Sequence, residues 1–303
     1  KIYIYSTIGV LSHGLLDACT SYGTSLLWPV SDIRISWNII SIIDPVFTSI
    51  IITFFFLCIF SKSIKFMKIG LTLSFSYLFL CYIQYHQIKS FVLSTSKDRG
   101  HKIERILLNP TIGNNILWRT IYQSDGYYFI DGVYKSIFSK AKIINGTKIK
   151  VINKETIYPE LDQNSKQRED IRRFSYFSQD YIFLHPDFDD VIADLRYGTL
   201  PYDYKSLWGI KINSKNKDQH AKFVSLRDFK KKDYENFWNL LKGNILQKKQ
   251  EVSNVKTFSG PMGMGLAKSY VQNNQKICIY NTINGQDELI LQNTEKKCPK
   301  NFE

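Results

Sequence analysis

Apolar runs dominate the first third of the chain, and short alternating runs follow. Residues 2–16 are apolar almost throughout. Residues 46–60, VFTSIIITFFFLCIF, carry no charge, and the run can extend back through Ile39–Ile43 to Trp37. Residues 66–83, FMKIGLTLSFSYLFLCYI, carry only Lys68. Runs of roughly 15–24 apolar residues suit helices that cross a bilayer. Asp44-Pro45 punctuates the second run, since Asp caps a helix and Pro fits its first turn. Asp44 therefore reads as a cap at the membrane surface, with a catalytic or metal-supporting carboxylate as the other reading.

Beyond the third run, residues 84–99 read as the same helix leaving the membrane. The period then shifts from 3.6 to 2. ILWRTIYQ and YYFIDGVY flank Ser124-Asp125-Gly126, and AKII and TKIKVI flank Asn145-Gly146, two hairpin signals. Residues 162–178 read as a helix with Ile171, Phe174 and Phe177 on one face. YIFLH, VIADLRY, LWGIKI and AKFVSL read as further strands. Residues 228–248 read as an amphipathic helix capped by Asp228. The expected fold is a membrane α-helical N-terminal part plus an α+β soluble domain with an antiparallel sheet. Its expected divisions are a transmembrane region over 1–86, a soluble domain over 87–249 and a small β-hairpin module over 250–303. That module is announced by a Gly-rich stretch and by KICIYN and ELILQN around Asn284-Gly285.

Composition refines this picture. Aromatic residues make up 15% and mean hydropathy is −0.20, which fits a chain that is part membrane and part soluble. The net charge of +13 raises nucleic-acid binding. The Lys residues are scattered and no zinc finger or RNA-recognition signature accompanies them, so no nucleic-acid partner is expected. The loop SKSIKFMK holds Lys62, Lys65 and Lys68 without an acidic residue. By the positive-inside bias it faces the cytoplasm, which sends residues 17–38 and everything after Ile83 to the opposite, periplasmic face. Cys278 and Cys298 are an even pair in a short polar segment, which reads as a disulfide, with two unpaired thiols as the other reading.

The candidate chemistry lies in SHGLLDACTSYGTSLLWPVSDIRISWNIISIIDP. His13 and Asp17 are four apart, so a helix sets them on one face, where they can share a divalent metal or simply bond each other. The string around them resembles the YdjM-like family of bacterial inner-membrane metal-dependent hydrolases, through Gly9, Ser12, His13, Asp17, Gly23, Leu26, Leu27, Trp28 and Pro29. Downstream strings such as NPTIGNNILWRTIYQSDGYYFID resemble the soluble tail of longer members. The family's upstream H-R-x-x-T-H-S motif is absent, so the chain reads as an N-terminally truncated fragment. The resemblance implies a membrane-bound hydrolase, with His13 and Asp17 holding a divalent metal, most simply zinc. A site at the bilayer surface then suits a lipid or lipid-linked ester or phosphoester. The alternative is a non-catalytic anchor presenting a periplasmic binding or assembly domain. In the tail, Arg119 and Arg196 are candidate binders of a phosphate head group, and the bland reading makes them structural ion pairs. No Gly-rich phosphate loop and no Ser-nucleophile elbow is present.

Overall fold

The computed structural model describes residues 2–214, 216, 219–245, 265–272, 275–282, 285–291, 298 and 299. The chain divides into two compact units, Lys1–Ile245 and Leu246–Glu303.

Three helices open the first unit. They are α1 (Ile2–Cys19), α2 (Pro45–Ser61) and α3 (Ile64–Asp98). Pro45 starts α2, and Asp44 Oδ1 accepts the Val46 and Phe47 N–H groups at 2.9 Å each. The apolar run therefore does not extend back to Trp37. Asp44 and Pro45 fix its start, and residues 38–43 are not helical. Lys62, in the left-handed region at φ 47°, turns the chain from α2 into α3. The two helices pack so closely at Gly70 that a Cβ there would lie 2.5 Å from the Phe54 Cβ. Their outer surfaces expose Ile52, Phe55, Phe56, Phe60, Phe75 and Phe79. Such a belt is costly in water and favourable in lipid.

α3 has 35 residues, about 52 Å at the α-helical rise, while a bilayer's hydrocarbon core takes only ~30 Å. Among the described helices it is the one both long and apolar enough to cross a membrane, and α2 is a shorter apolar helix. The remaining length of α3 carries the boundary from lipid to protein. Its Ile88 and Val92 are buried against Leu108, Trp118, Tyr122 and Val133 of a sheet. Residue 86, expected as the end of the membrane region, falls inside this continuous helix.

That sheet is antiparallel, in the order β1 (Arg105–Pro110), β2 (Leu117–Ser124), β3 (Tyr127–Tyr134), β4 (Lys142–Lys150). The β2–β3 turn is Asp125-Gly126, both at positive φ, as a tight hairpin requires. Asn145-Gly146 is not a turn. It lies inside β4, opposite a register shift between Ile130 and Gly132. Gly146 is needed there for close approach, because a Cβ would lie 1.9 Å from the Ile130 carbonyl oxygen and 2.4 Å from that of Tyr202.

The second sheet is also antiparallel, in the order β5 (Ile182–Leu184), β6 (Val191–Asp194), β7 (Trp208–Lys211), β8 (Lys222–Ser225). Ile121, Ile130 and Tyr128 of the first sheet meet Phe183 and Ala193 of the second in one core. α4 (Lys166–Phe177), capped by Ser165, covers the outer face through Ile171 and Phe174. The order of layers is thus α3, sheet, sheet, α4. α5 (Lys231–Leu241) packs Phe237, Leu240 and Leu241 near Leu117 and Ile144. Asp228 does not cap it, since the helix starts later and the Asp233 carboxylate accepts the Lys230 N–H at 3.1 Å. The fold is a helical N-terminal region with one apolar bilayer-length helix, followed by an α+β part built of antiparallel sheets.

The second unit holds β9 (Gly265–Gln272), β10 (Gln275–Thr282) and β11 (Gly285–Leu291), a meander with β10 in the middle. It has three strands rather than a single hairpin. Gly265, the last glycine of the Gly-rich stretch, already pairs with Asn281 of β10. Asn284 lies outside the described residues. Cys278 in β10 and Cys298 form a disulfide with Cα atoms 5.9 Å apart.

Candidate functional site

His13 and Asp17 lie in the last two turns of α1. The His13 Nδ1 is 3.7 Å from the Asp17 Oδ2, and the side chains are 77% and 47% exposed. The four-residue spacing sets them on one face, as the helical period demands. Leu16 and Thr20 stand on the adjoining face and line a cleft of about 230 Å³ between the end of α1 and the start of α2. Its other walls include Ser41, Asp44, Thr48 and Ile51. Four groups with side-chain oxygens thus sit in an apolar wall.

Asp44 is buried at the foot of this cleft, and both its oxygens are engaged. Oδ1 takes the two N–H groups of α2, and Oδ2 accepts the Tyr77 hydroxyl of α3 at 2.8 Å. The carboxylate closes the α2 start and pins it to α3. Tyr77 escaped the sequence reading because a Tyr inside an apolar run reads as core.

Arg119 and Arg196 do not lie beside His13 and Asp17. Arg119, on β2, is buried and spends all three side-chain nitrogens on backbone carbonyls. Nε and Nη2 donate to Leu195, and Nη1 donates to Leu200 and Asp203. Burial pushes its guanidinium pKa down to about 10, with Asp203 and Asp194 pulling the other way, so it stays charged at neutral pH. Arg196 is buried against Asp194. Its Nη2 donates at 2.8 Å and its Nε at 3.1 Å to that carboxylate. Burial alone would lower the Arg196 pKa, but the Asp194 charge outweighs it and raises it. The two arginines shape the 195–203 segment from within.

The other histidines are dispersed. His101 Nδ1 lies 2.8 Å from the Tyr122 hydroxyl, beside Arg99, which bonds Asp131 and Asn145. Buried His185 accepts the Asp187 N–H on Nδ1, and burial lowers its pKa from the ordinary histidine value. Exposed His220 pairs with Asp170. Among the described residues no group of three or more His, Cys, Asp or Glu converges as a metal cluster would.

The segment 20–43 that joins α1 to α2 lies on the sheet domain. Tyr197 donates to the Ser21 carbonyl at 2.7 Å, and Tyr176 donates to that of Asp32 at 2.6 Å. The Asn115 side chain donates to the Ile39 carbonyl at 2.9 Å. Gln84, the first residue after the apolar run of α3, donates to the carbonyls of Lys135 and Asn115. The α2–α3 hairpin therefore points its Lys62 turn away from the sheets, and the cleft lies at the other end of α2, where Asp44 caps it.

These features define a membrane-anchored α+β protein with a mainly apolar cleft between the end of α1 and the start of α2. Residues 1–88 match the family model described as YdjM inner membrane protein, so the N-terminal part of the chain is YdjM-like and belongs to the inner membrane. The match covers α1, α2 and the first two-thirds of α3, and the sheets lie beyond it. No curated protein and no solved structure matches the chain.

Proposed function

We propose that this chain is a membrane-bound, divalent-metal-dependent hydrolase. It acts at the bilayer surface on a lipid or lipid-linked ester or phosphoester, with the sheet domain on the periplasmic face. The observation that carries the reading is the His13–Asp17 pair, solvent-facing near the end of α1, the helix whose Leu16 lines the neighbouring cleft. The fit to a metal rests on donor chemistry. One imidazole nitrogen and one carboxylate oxygen, 3.7 Å apart, suit two positions of a divalent shell such as that of zinc. When bound, such a metal supplies an activated water and polarises a carbonyl or phosphoryl oxygen. The protein's own part is to bind and orient. Leu16, Ile51 and Ile52 offer an apolar wall for a hydrocarbon chain, and the Ser41 and Thr48 hydroxyls offer hydrogen bonds to a head group. Asp44, locked by three hydrogen bonds, holds the cleft wall in shape. Arg119 and Arg196 act in this reading through the loop they brace.

A second reading, a non-catalytic anchor presenting a periplasmic binding or assembly domain, is favoured by one observation. Three buried charges of the sheet domain, Arg119, Arg196 and Asp194, are satisfied inside the protein. Metal content separates the readings. Full-length protein in nanodiscs, loaded with Zn²⁺ or Mn²⁺ and dialysed, is expected to retain metal by elemental analysis. His13→Ala and Asp17→Asn are expected to lower the stoichiometry, and chelation is expected to abolish hydrolysis of a phospholipid phosphoester probe. Equal retention in wild type and His13→Ala overturns the ligand assignment. No retention in wild type favours the anchor.

A further inference from the structure

The end of the first sheet that faces the membrane carries two loops, residues 111–116 between β1 and β2 and residues 135–141 between β3 and β4. The ladder holds them side by side, because Pro110 pairs with Trp118, Leu117 with Tyr134, and Tyr134 with Lys142. Both loops are fastened where the chain crosses the bilayer boundary. Gln84, at the exit of α3, donates to the Lys135 carbonyl at 2.6 Å and to the Asn115 carbonyl at 3.2 Å. The Gly113 N–H donates to the Ser41 hydroxyl and the Ile43 carbonyl at 3.0 Å each, just before the α2 cap.

At that level a loop in water would show polar residues. These show Ile112 at 65% exposure, Ile137 at 67% and Phe138 at 98%. Exposed Lys140 and Lys142 follow directly. From Gly132 to Asn153 the sequence holds five Lys and no acidic residue. Apolar tips flanked by cations, continuous with a lipid-facing helix pair, match the interfacial layer of a bilayer that holds anionic lipid.

We propose that the 111–116 and 135–141 loops seat the sheet domain on the bilayer. Ile112, Ile137 and Phe138 insert among the acyl-chain ends, and Lys140 and Lys142 bind the phosphates of anionic phospholipid. The contact holds the domain against the membrane in one orientation and keeps the cleft at the lipid surface. It rests on the membrane character of residues 45–83 and is independent of the hydrolase reading.

Photo-crosslinking tests it. The full chain carrying Phe138→p-benzoylphenylalanine is reconstituted in vesicles of phosphatidylcholine and phosphatidylglycerol, irradiated and analysed by mass. Two reference positions calibrate the yield, Phe55 on the lipid-facing side of α2 and Tyr127 at the opposite end of the same sheet. Phospholipid adducts are expected at 138 and 55, with loss of the adduct at 127. Lys140→Gln with Lys142→Gln is expected to abolish any preference for phosphatidylglycerol over phosphatidylcholine at 138. A yield at 138 no higher than at 127 overturns the seat. So does a polypeptide adduct at 138 in native membranes, which would identify a protein partner instead. A phosphatidylglycerol preference unchanged in the double variant overturns the part given to the lysines.

Discussion

At the residue scale, single polar groups decide how the apolar helices start and stop. Asp44 is the clearest case. Removing its carboxylate strips α2 of its cap and leaves the Tyr77 hydroxyl without its acceptor. Asp44→Ala is expected to cost about 1–2 kcal/mol from the cap alone, read as a lower melting temperature in detergent. Asp44→Asn keeps an oxygen for the two N–H groups and is expected to retain most of the stability. A loss in Asn equal to that in Ala would mean that charge, not capping, is what the position supplies. The cap was legible in the sequence because Asp-Pro ahead of an apolar run has one local meaning. The Tyr77 contact was not, since it spans 33 positions. The same limit hid the roles of Arg119 and Arg196. An Arg in a strand reads alike whether it faces a ligand or the carbonyls of a remote loop, and only tertiary structure separates the two.

At the element scale, periodicity located almost every helix and strand, and glycine was where it misled. Asn145-Gly146 has the composition of a tight turn, yet the chain uses Gly146 to let β4 pass close to β3 and the 202 carbonyl. Composition cannot tell a positive φ from a missing Cβ. Gly146→Ala forces a carbon against two backbone oxygens and is expected to cost about 1–3 kcal/mol or more, as overpacking does. Gly126→Ala strains only a turn at φ 74° in open space and is expected to cost less. Thermal melts of the two variants compare them directly, and a Gly146→Ala protein as stable as Gly126→Ala would contradict the close-approach account. β1 has no counterpart among the strands read from the sequence, and its RILLNP ends in Pro, which demotes a run as a strand. It sits at the sheet edge, where a proline is tolerated.

At the scale of the whole molecule, the first unit is organised by one long helix. α3 is apolar where it meets lipid and then amphipathic where Ile88 and Val92 meet the sheet. Everything the account assigns to function, the His13–Asp17 pair, the cleft and the loops at Ile112 and Phe138, depends on which side of the membrane that second half emerges. The proposed function has it emerge on the periplasmic face, the side that Lys62, Lys65 and Lys68 favour through the positive-inside bias. The most direct measurement is labelling of intact cells by a thiol reagent that crosses the outer but not the inner membrane, on Asp125→Cys in the β2–β3 turn and on Lys65→Cys in the helix turn. Asp125→Cys is expected to be labelled in intact cells, and Lys65→Cys only after the inner membrane is broken. Labelling of Lys65→Cys in intact cells, with Asp125→Cys protected until lysis, would contradict this orientation.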